Sequence, residues 1–240
     1  FEPPWTRARI LGEIRRTIVA FRAAGGAGDV YIRLQATRGA GSIGLDIRLA
    51  ESPLFVLLVQ PCPALTAGQT ARGLSLSIVQ GLRRNPATAL DPAWKTGNYL
   101  NNLLGLSEAR SRGADEAVFL NLAGEVAEAA VCNIAFVRAG TLITPPLSAG
   151  ILSGVTRRLV LEKVAALAGI SVREETILPE DLGSFEECLL LSSTKDIAAV
   201  GSIDAVSYRI GPDTAAARLK AEFGAYAVAY AAAHPELRMP

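Results

Sequence analysis

Between Ala117 and Thr144 the sequence sets strand-length apolar segments one after another with only tight turns between them. Residues 117–121, 126–131 and 133–138 and the short Leu142–Thr144 run are separated by Ala-Gly-Glu, a break at Cys132 and Arg-Ala-Gly-Thr. Segments so short and so close leave no room for a crossover helix after each strand. The region therefore predicts a mixed or antiparallel sheet rather than a repeated βαβ array.

Helices and further strands are predicted on both sides of this block. Ile10, Ile14, Ile18 and Phe21 recur at helical spacing over 6–24, and Gly25 and Gly26 end the run. Strands are expected at 29–38, running into the glycine-rich turn 39–44, at 54–60 up to the prolines 61 and 63, and at 73–80. A helix over 98–112 should bury Leu100, Leu103, Leu104 and Ser107, with Gly113 as its cap. Later come a helix from Gly154 to Ala168, strands at 171–177 and 187–192 around a short helix at 179–185, and an alanine-rich terminal helix over 213–234. The polar, proline-bearing stretch 83–94 reads as a domain connection, dividing the chain into 1–85 and 86–240.

Composition then removes several chemistries. The 240 residues carry 24 basic against 23 acidic side chains, a net charge of +1, which provides no electrostatic footprint for a nucleic-acid partner. A single histidine, His234, argues against a Ser-His-acid triad or a histidine metal site, and no metal centre is expected. Cys62, Cys132 and Cys188 are far apart and odd in number, so they read as free thiols in a reducing compartment. The start lacks a secretory pattern, and the longest apolar run is of strand length, so a cytoplasmic protein without a membrane partner is the expectation.

Lysine remains available as a nucleophile. Lys95 alone could be a surface charge, but Trp94 and the helix that follows suggest an apolar setting that favours a neutral amine. Read from residues only, Glu128 is an exposed strand or turn carboxylate. On the same basis Ser153–Thr156 is a helix start, Arg33 an ion-pair partner and Thr194 a strand cap.

The strings VYIRLQATRG (30–39), KTGNYL (95–100), EVAEAAVCNIAFV (125–137), TPPL (144–147), GILSGVTR (150–157) and FEECLLLSSTKDIAAV (185–200) occur in that order. Together they resemble the fold-type-IV pyridoxal-phosphate enzymes, the family of branched-chain aminotransferases, D-amino-acid aminotransferases and aminodeoxychorismate lyases. The resemblance implies a two-domain α/β fold with an incomplete small N-terminal domain followed by a larger mixed domain. It also implies a homodimer with pyridoxal 5'-phosphate as cofactor. Lys95 would carry the cofactor and shuttle the substrate α-proton. Glu128, rather than Glu125, would pair with the pyridine nitrogen, and Tyr99 would stand near cofactor or substrate.

The same resemblance assigns the cofactor phosphate to the amides of Val155 and Thr156, the Thr156 hydroxyl and the hydroxyls of Ser193 and Thr194. Arg33 would receive a substrate carboxylate, helped by Thr194. Two departures stand out. The family's upstream HxxRL-like block with its phosphate-binding arginine does not precede Phe1, so the chain is expected to be incomplete there. The loop AGSIGLD (40–46) also lacks the arginine and histidine of D-amino-acid aminotransferases. The expected reaction is amino-group exchange between an amino acid and a 2-oxo acid, branched-chain-like. The alternatives are aminodeoxychorismate lyase activity and a noncatalytic cofactor-binding or interaction module.

Overall fold

The computed structural model describes residues 3–239, and Phe1 lies outside them. The chain forms two compact units, residues 1–64 with 231–240, and residues 65–230.

In the first unit, helix α1 (Arg7–Ala23) begins at Thr6, whose side chain accepts a hydrogen bond from the Arg9 amide. Strands β1 (Val30–Gly41) and β2 (Ala50–Pro61) form an antiparallel pair in which Arg33 faces Leu58. The expected glycine-rich turn begins later than Gly39, because β1 continues to Gly41 through register shifts. Gly39 makes this possible at φ +87°, where a Cβ would collide with the Ser52 carbonyl. Trp5 packs edge-on against Phe55, with centroids 5.0 Å apart.

The second unit holds a mixed sheet in the order β5-β4-β3-β10-β9-β6-β7-β8, with β11 paired to β10. Its strands are β3 (Leu74–Ile78), β4 (Glu116–Leu120), β5 (Val126–Ala129), β6 (Asn133–Arg138), β7 (Thr141–Thr144), β8 (Ser171–Glu174), β9 (Glu187–Ser192), β10 (Asp196–Ile203) and β11 (Val206–Ser207). The consecutive pairs β4/β5 and β6/β7 are antiparallel, as their tight turns require. β3 lies parallel to both β4 and β10. Short helix α2 (Ala67–Arg72) precedes β3, carrying a Thr66–Gln69 capping box.

The sequence boundary at 85/86 falls inside this unit, because β3 is hydrogen-bonded into the middle of the sheet. Phe136, Leu190, Leu74 and Ile134 are fully enclosed in the main core.

Helix α3 (Leu100–Ser111) corrects the sequence reading of its buried face. Leu100, Leu103 and Leu104 are 69%, 62% and 49% exposed, while Gly105 and Ala109 are buried. The Phe119 ring lies so close that any side chain at 105 would collide with it, so the helix approaches the sheet along its smallest residues. The helical run that follows Gly154 comprises α4 (Val155–Leu159), a π-helical turn (Val160–Val164) and α5 (Ala165–Leu167). The terminal helix is α6 (Ala215–Ala233), with Leu219 buried and Val228 73% exposed. Cys132 and Cys188 are buried free thiols, and Cys62 is half-buried. Among the described residues no helix is long and apolar enough to cross a membrane, and no cluster of His, Cys, Asp or Glu could hold a metal ion.

Candidate active site

Residues 79–99 join β3 to α3 without a regular helix or strand, and their part from Arg84 to Tyr99 forms one wall of a cavity of about 360 Å³ in the second unit. The other walls come from Glu128–Asn133 at the β5–β6 turn, from Leu152–Thr156 at the start of α4, and from Leu191–Ser193 at the end of β9. Lys95, Tyr99, Glu128, Val155, Thr156 and Ser193 all line this cavity. Thr194 is not among its described wall residues, and its hydroxyl lies 3.5 Å from Ser192 Oγ. Arg33 belongs to β1 of the first unit.

Glu128 is 4% exposed, and its carboxylate is held from two sides. The guanidinium of Arg84 reaches Oε1 at 2.7 Å. Oε2 accepts from Asn133 Nδ2 at 3.0 Å and from the Leu152 amide at 3.2 Å. Burial pushes the Glu128 carboxyl up to about 7, against the opposing pull of Arg84, the Leu152 amide and the Lys95 charge. A carboxylate offers about four acceptor directions, so three donors leave one for a further N–H.

Glu125 is turned to a different task. Its Oε2 accepts from Asn121 Nδ2 at 2.7 Å.

Lys95 stands in a contrasting setting. It is exposed, and its Nζ donates to Tyr99 Oη at 3.1 Å. The apolar surround expected from Trp94 is absent, because Trp94 is 64% exposed. A turn closed by the Trp94 amide on the Asp91 carbonyl at 3.0 Å carries the segment along the surface.

At α4, Gly154 is the extended N-cap, and the following amides of Val155 and Thr156 start the first turn, where helix N–H groups lack intrahelical acceptors. Thr156 is 4% exposed. Asn133 Nδ2 also donates to the Leu152 carbonyl at 2.8 Å, tying Glu128 to the loop that launches α4. A Cβ on Gly154 would strike Asn133 Oδ1.

An amine, a buried carboxylate, helix-start amides and hydroxyls on one cavity form a donor and acceptor set suited to pyridoxal phosphate. Glu128 retains an acceptor direction for a ring N–H, and the α4 start and the Ser193 hydroxyl present donors for an anion.

Arg84 and Asn133 were missed as site residues. Arg84 lies within the irregular proline-bearing stretch 83–94, with no periodicity to orient it, and Asn133 stands in the string 125–137 without an assigned role. A signal for Asn133 was present in its fixed distance from Glu128; Arg84 offered none.

The class IV amino-transferase family model matches residues 1–203. A protein of Methanocaldococcus jannaschii named as a branched-chain-amino-acid aminotransferase is 39% identical over 73% of this chain and 59% of its own length. The chain thus spans less than two thirds of that relative. The crystal structure of the Escherichia coli branched-chain amino acid aminotransferase superposes with a TM-score of 0.83 at 28% identity, covering 94% of this chain and 73% of that one. The branched-chain amino acid aminotransferase of Thermobaculum terrenum, solved in its PLP form, gives a TM-score of 0.73 at 28% identity, covering 88% and 68%. With the family model matched along most of its length, this chain belongs to the class IV aminotransferases.

Proposed function

We propose that this chain forms the cofactor-binding part of a pyridoxal-phosphate-dependent aminotransferase that exchanges an amino group between an amino acid and a 2-oxo acid. The observation that carries the proposal is the sharing of one cavity by the Lys95 amine and the buried Glu128 carboxylate. The relatives named for branched-chain amino acids support a donor with a branched aliphatic side chain.

When bound, pyridoxal phosphate supplies an amine-reactive aldehyde and a ring that takes up electron density from the substrate α-carbon. Lys95 supplies the nucleophilic amine, and its Nζ accepts the α-proton and returns it during the exchange. Tyr99 Oη, 3.1 Å away, orients that amine. Glu128 offers a carboxylate to the ring N–H in a setting shielded from water. The amides of Val155 and Thr156 and the hydroxyls of Thr156, Ser193 and Thr194 are assigned to the phosphate. Arg33 is assigned to a substrate carboxylate, for which its forked donors are suited, with Thr194 in a supporting part.

A homodimer is part of the proposal. The exposed Leu100, Leu103 and Leu104 on α3 and Val131 provide an apolar surface for a second copy, and sedimentation analysis of the protein checks it. The free thiols Cys62, Cys132 and Cys188 support a reducing, cytoplasmic location.

The decisive experiment is borohydride reduction of the protein incubated with pyridoxal phosphate, followed by peptide mass analysis. A cofactor adduct on Lys95 is expected, and modification confined to another lysine would overturn the assignment. The reaction itself is checked by converting the bound cofactor to its amine form and adding 2-oxo acids. Return to the aldehyde form is expected, whereas pyruvate release from aminodeoxychorismate without an acceptor would identify a lyase.

A further inference from the structure

Among the donors that hold Glu128, Arg84 alone brings a charge, and it alone meets Oε1. Its position is tightly determined. The Arg84 amide donates to the Leu120 carbonyl at 2.8 Å, and the carbonyl of neighbouring Arg83 accepts from Asn101 Nδ2 at 3.0 Å. The Arg84 side chain is 12% exposed, and its Nε is buried without a hydrogen-bond partner. A buried N–H without an acceptor disfavours the folded state, so this placement points to a purpose other than stability.

The groups that face Glu128 are few. Arg84 and Lys95 come from residues 79–99, Asn133 from β6 and the Leu152 amide from the loop before α4. Asp91 and Tyr99 also stand on the cavity wall.

We propose that Arg84 is a positioning residue that fixes Oε1 of Glu128 and sets a counter-charge beside it, so that the remaining acceptor direction of the carboxylate is turned to a cationic N–H in the cavity. Under the function proposed above, on which the identity of that N–H rests, it belongs to the cofactor ring. Arg84 therefore acts on the ring only through Glu128. With a neutral side chain at 84, the buried carboxyl keeps its proton to higher pH, and a protonated carboxyl no longer offers a charge to a cationic nitrogen. Two cations on one carboxylate also divide its basicity between them.

The test is an infrared titration of the Glu128 carboxyl in the protein without cofactor, with Glu128→Gln as the subtraction standard. In Arg84→Gln the midpoint should rise by about one pH unit or more, and Arg84→Lys should restore most of the difference. A folded Arg84→Gln protein with an unchanged midpoint would overturn the proposal. Should that variant not fold, the ¹⁵N signal of the Arg84 guanidinium in the unaltered protein supplies the second measurement. It should move with the same midpoint as the carboxyl band, and a signal flat across that range would also overturn the proposal.

Uptake of pyridoxal phosphate by the unaltered protein, followed by absorbance, separates this inference from the function on which it rests. No uptake together with an Arg84-dependent midpoint would sink the cofactor reading while supporting the linkage. Uptake with an Arg84-independent midpoint would sink the linkage alone.

Discussion

The Glu128 and Lys95 parts of the cavity are built in opposite ways. Glu128 is buried, lies on a strand, and is held by a guanidinium, an amide side chain and a backbone N–H. Lys95 is exposed, lies on an irregular segment, and donates to a single tyrosine hydroxyl. A carboxylate whose task is to hold one charge in one place gains from a fixed, dry setting. An amine that must first form a bond and then carry a proton needs freedom to move, and an irregular segment provides it. Under the proposed function, the two groups are thus separated into a rigid part and a yielding part.

The largest effect that sharpens this contrast is at the yielding group. Lys95→Ala should lower turnover by about 10³-fold or more, as removal of the acid–base group implies. Thermal stability should stay within about 0.5 kcal/mol, as expected for an exposed position. A large loss of stability, seen by circular dichroism melting, would break the contrast.

Glu128 should behave differently, since its removal touches stability and chemistry together. Its carboxyl value of about 7 in the folded protein lies above the ordinary 4.5. Between these values the folded chain retains a proton that the unfolded chain has released. Stability that is fully present below about pH 4.5 is therefore lost as pH rises toward 7, by an amount on the order of 3 kcal/mol. Glu128→Gln should flatten that part of the stability curve in cofactor-free protein while lowering turnover about 100-fold. Chemical denaturation at a series of pH values checks the first expectation, and steady-state kinetics the second.

A smaller effect is expected at Gly154, where the rigid end meets the helix start. Gly154→Ala should displace the Asn133 side chain and cost about 1–3 kcal/mol in denaturation experiments. Weaker retention of pyridoxal phosphate on dialysis should accompany it. The smallest effect is expected at Arg33, in the other unit. Arg33→Ala should raise KM for amino and oxo acids about tenfold with melting unchanged, and identical kinetics across several substrates would remove Arg33 from the proposal.

Much of the element order was legible in the sequence, because glycine breaks and apolar periodicity are local signals. Thr6 and Gly25 bracket α1, and the turns after 121 and 138 separate β4 from β5 and β6 from β7. The face of α3 was not legible, since a leucine stripe suggests burial, yet the Phe119 ring selects the side that carries Gly105. The boundary at 85/86 was placed by composition, whereas the pairing of β3 with β4 and β10 is a long-range event that composition does not record.

The cavity was legible through the ordered motifs around Lys95, Glu128 and Thr156, but Arg84 was not. Arg84 and Glu128 stand on separate elements, and only the folding of the sheet brings the guanidinium within 2.7 Å of the carboxylate.

The sequence by itself determined the family, much of the order of helices and strands, and the chemical types available at the site; α2, β10 and β11 were not among the expected elements. Tertiary structure alone decided which side chains are dry, which are exposed and which charges meet. The proton affinity of Glu128 belongs to this second group. Desolvation and the distance to a counter-charge are properties of a surrounding assembled from distant parts of the chain, and no neighbouring residue in the sequence encodes them.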